Sequence, residues 1–113
     1  MRLLGKTGVK VSRVALGAMS FGSDADEATS AAMWRAARDA GVNLIDTADV
    51  YNDGRSEQIV GQLMHHERDQ IVLATKAYFP MGKGPNDRGA SRYHLVRAVD
   101  ASLRRLGTDR IDV

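Results

Sequence analysis

The feature that most constrains this chain is a unit that occurs three times: a short apolar run, a polar loop, and a stretch with helical spacing of apolar residues. The apolar runs are 13–17, 43–46 and 71–76. Strands and helices that alternate at about 30 to 40 residues per unit are typical of βα units with a parallel sheet. The sequence therefore predicts an α/β fold, in which the first run is a strand buried on both faces.

A hairpin is predicted before the first unit. Two short runs, 2–4 and 9–11, flank the turn 5–8, which contains two glycines. Glycine supplies the positive φ angles that tight hairpin turns require.

The first helix is predicted to begin at a capping box formed by Asp24 and Glu27, and to end at Gly41 in the left-handed conformation. Its core face is predicted from spacing alone, and Trp34 lies outside it. That face consists of Ala32, Met33, Ala36, Ala37 and Ala40.

The second and third helices are predicted to begin at the serine caps Ser56 and Ser91, and Gly107 closes the third. A long irregular loop, 78–90, precedes the third helix, and a fourth strand begins at 110–113. The predicted core faces are Ile59, Val60, Leu63 and Met64 on the second helix, and Leu95, Ala98, Val99, Ser102, Leu103 and Leu106 on the third.

Composition excludes several classes of protein. The chain has 113 residues, no cysteine and a net charge of +2, so it offers no disulfide framework, no thiol chemistry and no basic surface typical of nucleic-acid binding. No apolar run approaches the roughly 20 residues of a membrane span. We expect a soluble cytoplasmic protein with neither a nucleic-acid nor a membrane partner.

Three polar residues lie at or just after the ends of predicted strands, which is where barrels of parallel strands place their catalytic and binding residues. Asp46 and Lys76 end the second and third apolar runs, and Tyr51 lies in the loop after Asp46. Each has a simpler structural explanation: the aspartate caps a loop, the tyrosine packs, and the lysine is solvated. No metal site is predicted, because the calcium-loop-like segment 49–54 lacks the acidic ligand that should follow it.

Four segments in order resemble the aldo-keto reductase family: LGKTGVKVSRVALGAMSFG at 4–22, GVNLIDTADVYNDGRSEQIVG at 41–61, IVLATK at 71–76, and GPNDRGASR with AVDASLRRLGTDRIDV at 84–92 and 98–113. The resemblance implies a partial TIM (β/α)8 barrel with an N-terminal β-hairpin and about three and a half βα units. A closed barrel needs about 250 residues. Residues 1–113 are therefore expected to be the N-terminal part of one barrel domain.

The family reduces aldehydes and ketones with NADPH, and its catalytic set is Asp, Tyr, Lys and His. The resemblance implies that Asp46, Tyr51 and Lys76 are the first three. The histidine is expected after Ile111-Asp112, where the chain has ended, so residues 1–113 alone are expected to be inactive.

The resemblance also implies that the end of the first strand, Gly17, Ala18 and Met19, holds NADP(H) together with Asp46. A small carbonyl compound is then the expected substrate.

Two other hypotheses stay open from the sequence. The chain is also compatible with a non-catalytic regulatory or binding protein on the same scaffold, similar to channel subunits. Alternatively, a half-barrel assembles with a partner chain, because open sheet edges favour pairing. By the same argument, the 113 residues alone are expected to self-associate.

Overall fold

The computed structural model describes all 113 residues and begins with the predicted hairpin. Strands β1 (Arg2–Leu3) and β2 (Lys10–Val11) pair antiparallel, with Arg2 opposite Val11. Gly5 and Gly8 have φ angles of 56° and 80° in the turn between them. The hairpin is confirmed, although its strands are shorter than the sequence predicts.

A second sheet consists of three parallel strands, β3 (Ala15–Gly17), β4 (Leu44–Asp46) and β5 (Val72–Ala74), in the order β3-β4-β5. The register places Gly17, Asp46 and Ala74 in one row, so the carboxyl ends of all three strands meet at one edge. The parallel sheet predicted from the alternating pattern is therefore confirmed.

The predicted fourth strand is present only as a segment that lies beside β5. The backbone N–H groups of Asp112 and Val113 both donate to the Leu73 carbonyl, each at 3.0 Å, and Thr75 N–H donates to the Val113 carbonyl at 3.2 Å. These bonds place residues 112–113 next to β5.

Three helices follow the three strands in turn: α1 (Glu27–Asp39), α2 (Arg55–Met64) and α3 (Arg92–Leu106). Apolar side chains from all three pack with the buried strand residues Ile45 and Leu73 in one core. The helices contribute Trp34, Ile59, Val60, Met64 and Leu106 to that core. None of the three is both long and apolar enough to cross a lipid bilayer.

Helix α1 differs from its prediction at its start and in the face that it buries. Asp26 caps it, because its side chain accepts the Thr29 N–H at 2.8 Å, and this hydrogen bond lowers the pKa of Asp26. Asp24 is not the cap, and Glu27 forms an ion pair with Arg55 instead of a capping box.

The core face of α1 is centred on Trp34, which is only 3% exposed. The prediction that an alanine-rich face packs in the core is wrong. Met33 and most of the predicted alanines are exposed, including Ala32, Ala36 and Ala40. The indole carries far more apolar area than an alanine methyl group, and its Nε1 finds a partner in Glu67 Oε1 at 2.8 Å. Burial of the large side chain therefore decides the orientation of the helix.

Helix α2 buries its predicted stripe but is not capped by Ser56. The N-cap is Gly54, at φ 88°, and Ser56 lies in the first turn, where its buried Oγ donates to the Ala18 carbonyl at 2.6 Å. The Ile59, Val60 and Met64 side chains are buried as predicted.

Helix α3 has both of its predicted ends. Ser91 accepts the His94 N–H, and Gly107 ends the helix at φ 62°. On its inner face, His94 is buried, whereas Val99, predicted in the core, is 45% exposed.

Helices pack against only one of the two faces of the parallel sheet. Leu16, Ile45 and Leu73 lie on the face that packs against the helices. On strand β3, Ala15 and Gly17 are exposed, so the expectation that this strand is buried on both faces is wrong. Helices cover one face only, because all three connections lie on the same side.

Candidate functional site

The end of β4 and the segment after β5 bring two opposite charges together. Because β4 and β5 are neighbours, Asp46 and Lys76 emerge at the same edge of the sheet. Lys76 Nζ donates to both carboxylate oxygens of Asp46, at 2.8 and 2.7 Å, and to the Thr47 carbonyl at 2.8 Å. Side-chain exposures of 51% for Lys76 and 39% for Asp46 leave both groups accessible to a ligand.

Tyr51 completes the predicted group. It is the first residue of the turn Tyr51–Gly54, and Lys76 Nζ lies 5.2 Å from the centre of its ring. A cation at this distance from an aromatic face is attracted to it. The structure therefore brings together all three residues that the sequence singled out.

The turn that carries Tyr51 has an unusual backbone. Asn52 (φ 52°, ψ 44°) and Asp53 (φ 53°, ψ 41°) are both left-handed although neither is glycine, and Gly54 follows at φ 88°. Asparagine and aspartate tolerate this region better than other residues, yet it remains sparsely populated. Consecutive residues of this kind persist only where the surroundings hold them.

Two contacts hold the turn. Asn52 Nδ2 donates to the carbonyls of Met19 and Phe21, at 3.0 and 2.8 Å. A Cβ atom at Gly54 would lie 2.6 Å from Cδ of Arg105, so only glycine fits there without movement of that arginine. Asn52 was not among the predicted site residues, although the run Asn52-Asp53-Gly54 is typical of a tight turn.

A buried polar layer supports the strand ends from behind. The Glu57 carboxylate is fully buried and accepts hydrogen bonds from Thr75 Oγ1 at 2.7 Å and from Arg105 Nε at 2.6 Å. The hydroxyl groups of Thr47 and Ser56 lie 2.9 Å apart. Thr47 and Thr75 each adjoin a residue of the charged pair, so this layer fixes the backbone from which Asp46 and Lys76 project.

Asp49 and His94 lie in the same buried region, beside a cavity of about 380 Å³. Asp49 Oδ2 and His94 Nε2 have no hydrogen-bond partner. Burial raises the pKa of the Asp49 carboxyl and the negative charge of Glu57 raises it further, whereas the Val50 N–H, Arg105 and His94 oppose the rise. Asp49 therefore holds its proton to higher pH than an ordinary aspartate.

The three residues at the end of β3 differ in what they can offer a ligand. Gly17 lies beside Asp46 in the sheet, and a Cβ atom there would meet nothing within 4 Å. Met19 is exposed, whereas Ala18 is buried and its N–H donates to the Asp46 carbonyl at 2.8 Å. Gly17 and Met19 border open space, and Ala18 ties this segment to β4. No group of three or more histidine or carboxylate side chains is placed to hold a metal ion.

Comparison with known proteins identifies the family of the chain. A model of the aldo/keto reductase family matches residues 13–113. The chain is 44% identical to a probable voltage-gated potassium channel subunit beta of Oryza sativa subsp. japonica, over 97% of this chain and 34% of that protein. It is 42% identical to the aldo-keto reductase YhdN of Bacillus subtilis, over 95% of this chain and 34% of that protein.

A solved structure gives the fold. The holo form of the aldo-keto reductase AKR11C1 from Bacillus halodurans matches with a TM-score of 0.84 and 38% identity, over 97% of this chain and 37% of that one. The predicted partial (β/α)8 barrel with its N-terminal hairpin is thereby confirmed. The chain spans about a third of the length of the relatives that it matches.

Proposed function

Because this chain belongs to the aldo/keto reductase family, we propose that it supplies the proton-transfer residues of an NADPH-dependent reductase of aldehydes and ketones. The observation that carries the proposal is the convergence of Asp46, Lys76 and Tyr51 at one sheet edge. Lys76 Nζ lies 2.7 and 2.8 Å from the two Asp46 oxygens and 5.2 Å from the centre of the Tyr51 ring. The proposal concerns a complete barrel that carries residues 1–113 as its first part.

Each of the three residues has a defined task. A carbonyl oxygen needs a proton when its carbon accepts hydride, and the Tyr51 hydroxyl is the donor. Lys76 stabilises the phenolate that remains, since an opposite charge nearby favours the ionised form. Asp46 holds the ammonium group in place through two charge-assisted hydrogen bonds.

The residues present also fit the nicotinamide cofactor, which supplies the hydride when bound. A carboxylate has about four lone-pair sites, and Lys76 occupies two of those on Asp46. The half-exposed Asp46 oxygens are therefore able to accept further hydroxyl groups. Gly17 and the exposed Met19 leave space beside them. We assign the nicotinamide-ribose side of the cofactor to these three residues.

A regulatory role is the second candidate, because one relative at 44% identity is named as a potassium channel subunit. A protein of this kind does not need a working proton donor. The complete Asp46–Lys76–Tyr51 group favours the reductase.

The test is Tyr51→Phe in the complete barrel, followed through NADPH oxidation with a model aldehyde. Loss of the hydroxyl should lower kcat by about 10²- to 10⁴-fold, the usual scale for general acid catalysis, with cofactor affinity nearly unchanged. Tyr93→Phe is the matched control, since Tyr93 is exposed on α3. A Tyr51→Phe protein with the parent rate would exclude the assignment. A parent that binds NADPH but does not turn over would favour the regulatory role.

A further inference from the structure

We propose that Asn52 is a positioning residue, which locks the turn carrying Tyr51 to the loop after β3 and so holds the proton donor and the cofactor side of the site in one geometry. This inference rests on the proposed function for its activity readout. Its structural readout is independent of turnover.

The contacts of Asn52 connect two segments that are about 30 residues apart in the chain. Its side-chain amide donates both hydrogens to the loop after β3, one to the Met19 carbonyl at 3.0 Å and one to the Phe21 carbonyl at 2.8 Å. Phe21 is fully buried, so its carbonyl is fixed by the core. The amide therefore anchors the turn to a rigid point.

The backbone conformation of Asn52 indicates that its side-chain hydrogen bonds explain why asparagine, and not glycine, occupies this position. At φ 52° and ψ 44°, glycine would adopt the same conformation at lower cost. Asparagine at a left-handed position is justified when its side chain makes bonds that glycine cannot make. The next residue, Asp53, has nearly the same dihedral angles but is exposed and makes no side-chain hydrogen bond. Asp53 is therefore a natural internal control.

The two segments that Asn52 joins both adjoin the site. Tyr51 immediately precedes Asn52, and Met19 is one of the exposed residues on the side assigned to the cofactor. A shift of the turn would move the Tyr51 hydroxyl relative to the bound substrate. Displacement of a reacting group by about 1 Å can cost about 10²-fold in rate.

The experiment compares Asn52→Gly, Asn52→Ala and Asp53→Gly in the complete barrel. Asn52→Gly removes both hydrogen bonds and relieves the backbone, so it keeps the test valid if the strained Asn52→Ala protein fails to fold. Three quantities are measured: kcat and KM for a model aldehyde well below the melting temperature, the Kd of NADPH, and amide hydrogen exchange at residues 18–22.

We expect both Asn52 variants to lower kcat by about 10- to 100-fold, in line with a misplaced proton donor. The Kd of NADPH should rise, and exchange at residues 18–22 should become faster. Asp53→Gly should leave all three at the parent values. A residue that only stabilised the fold would lower the melting temperature without this loss of kcat in folded protein.

Retention of kcat and NADPH affinity by Asn52→Gly would overturn the inference, because asparagine would then serve only the local backbone. If the parent barrel reduces no carbonyl, the proposed function fails. Hydrogen exchange then still tests whether Asn52 holds the turn against the loop after β3. Unchanged exchange at residues 18–22 in Asn52→Gly would overturn it in that case, and faster exchange would support it.

Discussion

Two ion pairs of the same chemical kind lie close together in this molecule and have opposite surroundings. Lys76 and Asp46 meet at 2.7 Å with 51% and 39% of their side chains exposed. Arg105 and Glu57 meet at 2.6 Å with 21% and 0% exposed. The first pair lies at the open edge of the sheet, and the second lies behind it between α2 and α3.

If the proposed function holds, the difference separates the pair that serves chemistry from the pair that serves stability. An exposed pair contributes only about 0.2–1 kcal/mol to folding, since water and salt screen it. Breaking a buried pair leaves an uncompensated charge and costs several times more. The buried pair also reaches the exposed one, because Glu57 binds the hydroxyl of Thr75, the residue before Lys76.

The largest expected effect is the loss of activity in Lys76→Met, tested, like the variants that follow, in the complete barrel. Without the ammonium group the Tyr51 phenolate loses its counter-charge, so kcat/KM should fall by about 10²- to 10⁴-fold. The free energy of unfolding should fall by no more than about 1 kcal/mol, the range for an exposed ion pair. Steady-state kinetics and urea unfolding measure the two quantities.

Lys83→Met is the control for this change, since Lys83 is an exposed lysine without an ion pair in the loop 78–90. A Lys76→Met protein that kept its activity but lost several kcal/mol of stability would contradict the prediction, because the exposed pair would then serve stability and not catalysis.

The second effect is on stability, in Glu57→Gln. The substitution leaves the Arg105 guanidinium without its carboxylate and turns an amide group towards Thr75 or Arg105. Because Arg105 is partly exposed, we expect a loss of roughly 2–4 kcal/mol, somewhat below the full cost of breaking a buried pair. Urea unfolding of parent and variant measures it.

Glu27→Gln is the matched change at an exposed pair, formed with Arg55, and should cost less than about 1 kcal/mol. Equal losses in the two variants would contradict the distinction between the buried and exposed pairs.

The smallest effect concerns pH, in Asp49→Asn. The pKa of Asp49 is raised by burial and by Glu57, so the native state binds this proton more tightly than the unfolded state does. Its stability contribution is therefore fully present below the ordinary pKa of 3.8 and is lost as pH rises through the raised pKa. Asparagine has no such proton, so the unfolding free energy of the variant should fall less over this interval.

Unfolding at a series of pH values, with Asp53→Asn as an exposed control, measures this difference. Identical pH profiles for the parent and Asp49→Asn would contradict it.

The open site was easier to predict than the layer behind it. Asp46 and Lys76 follow apolar strands, and parallel strands bring their carboxyl ends together, so their contact follows from chain order. Glu57 and His94 lie on helices, where a polar residue normally faces water. Their burial depends on the packing of α2 against α3, which the spacing of apolar residues in the sequence does not reveal.

Local errors have similar causes. Asp24 and Asp26 are equally good caps by residue type, and only the three-dimensional path of the loop selects Asp26. The alanine stripe of α1 is correct in period, but the size of Trp34 decides which face is buried. The catalytic and cofactor roles of the site residues stay predictions.

Trp34 also gives the molecule a built-in optical reporter. It is the only tryptophan in the sequence, it is buried, and its indole nitrogen binds Glu67. Glu67 lies between the end of α2 and the start of β5, at the opposite end of the sheet from Lys76. Its fluorescence therefore reports on the docking of α1 against the segment that precedes β5. Emission spectra of a site variant without cofactor therefore show whether the packing around Trp34 is retained.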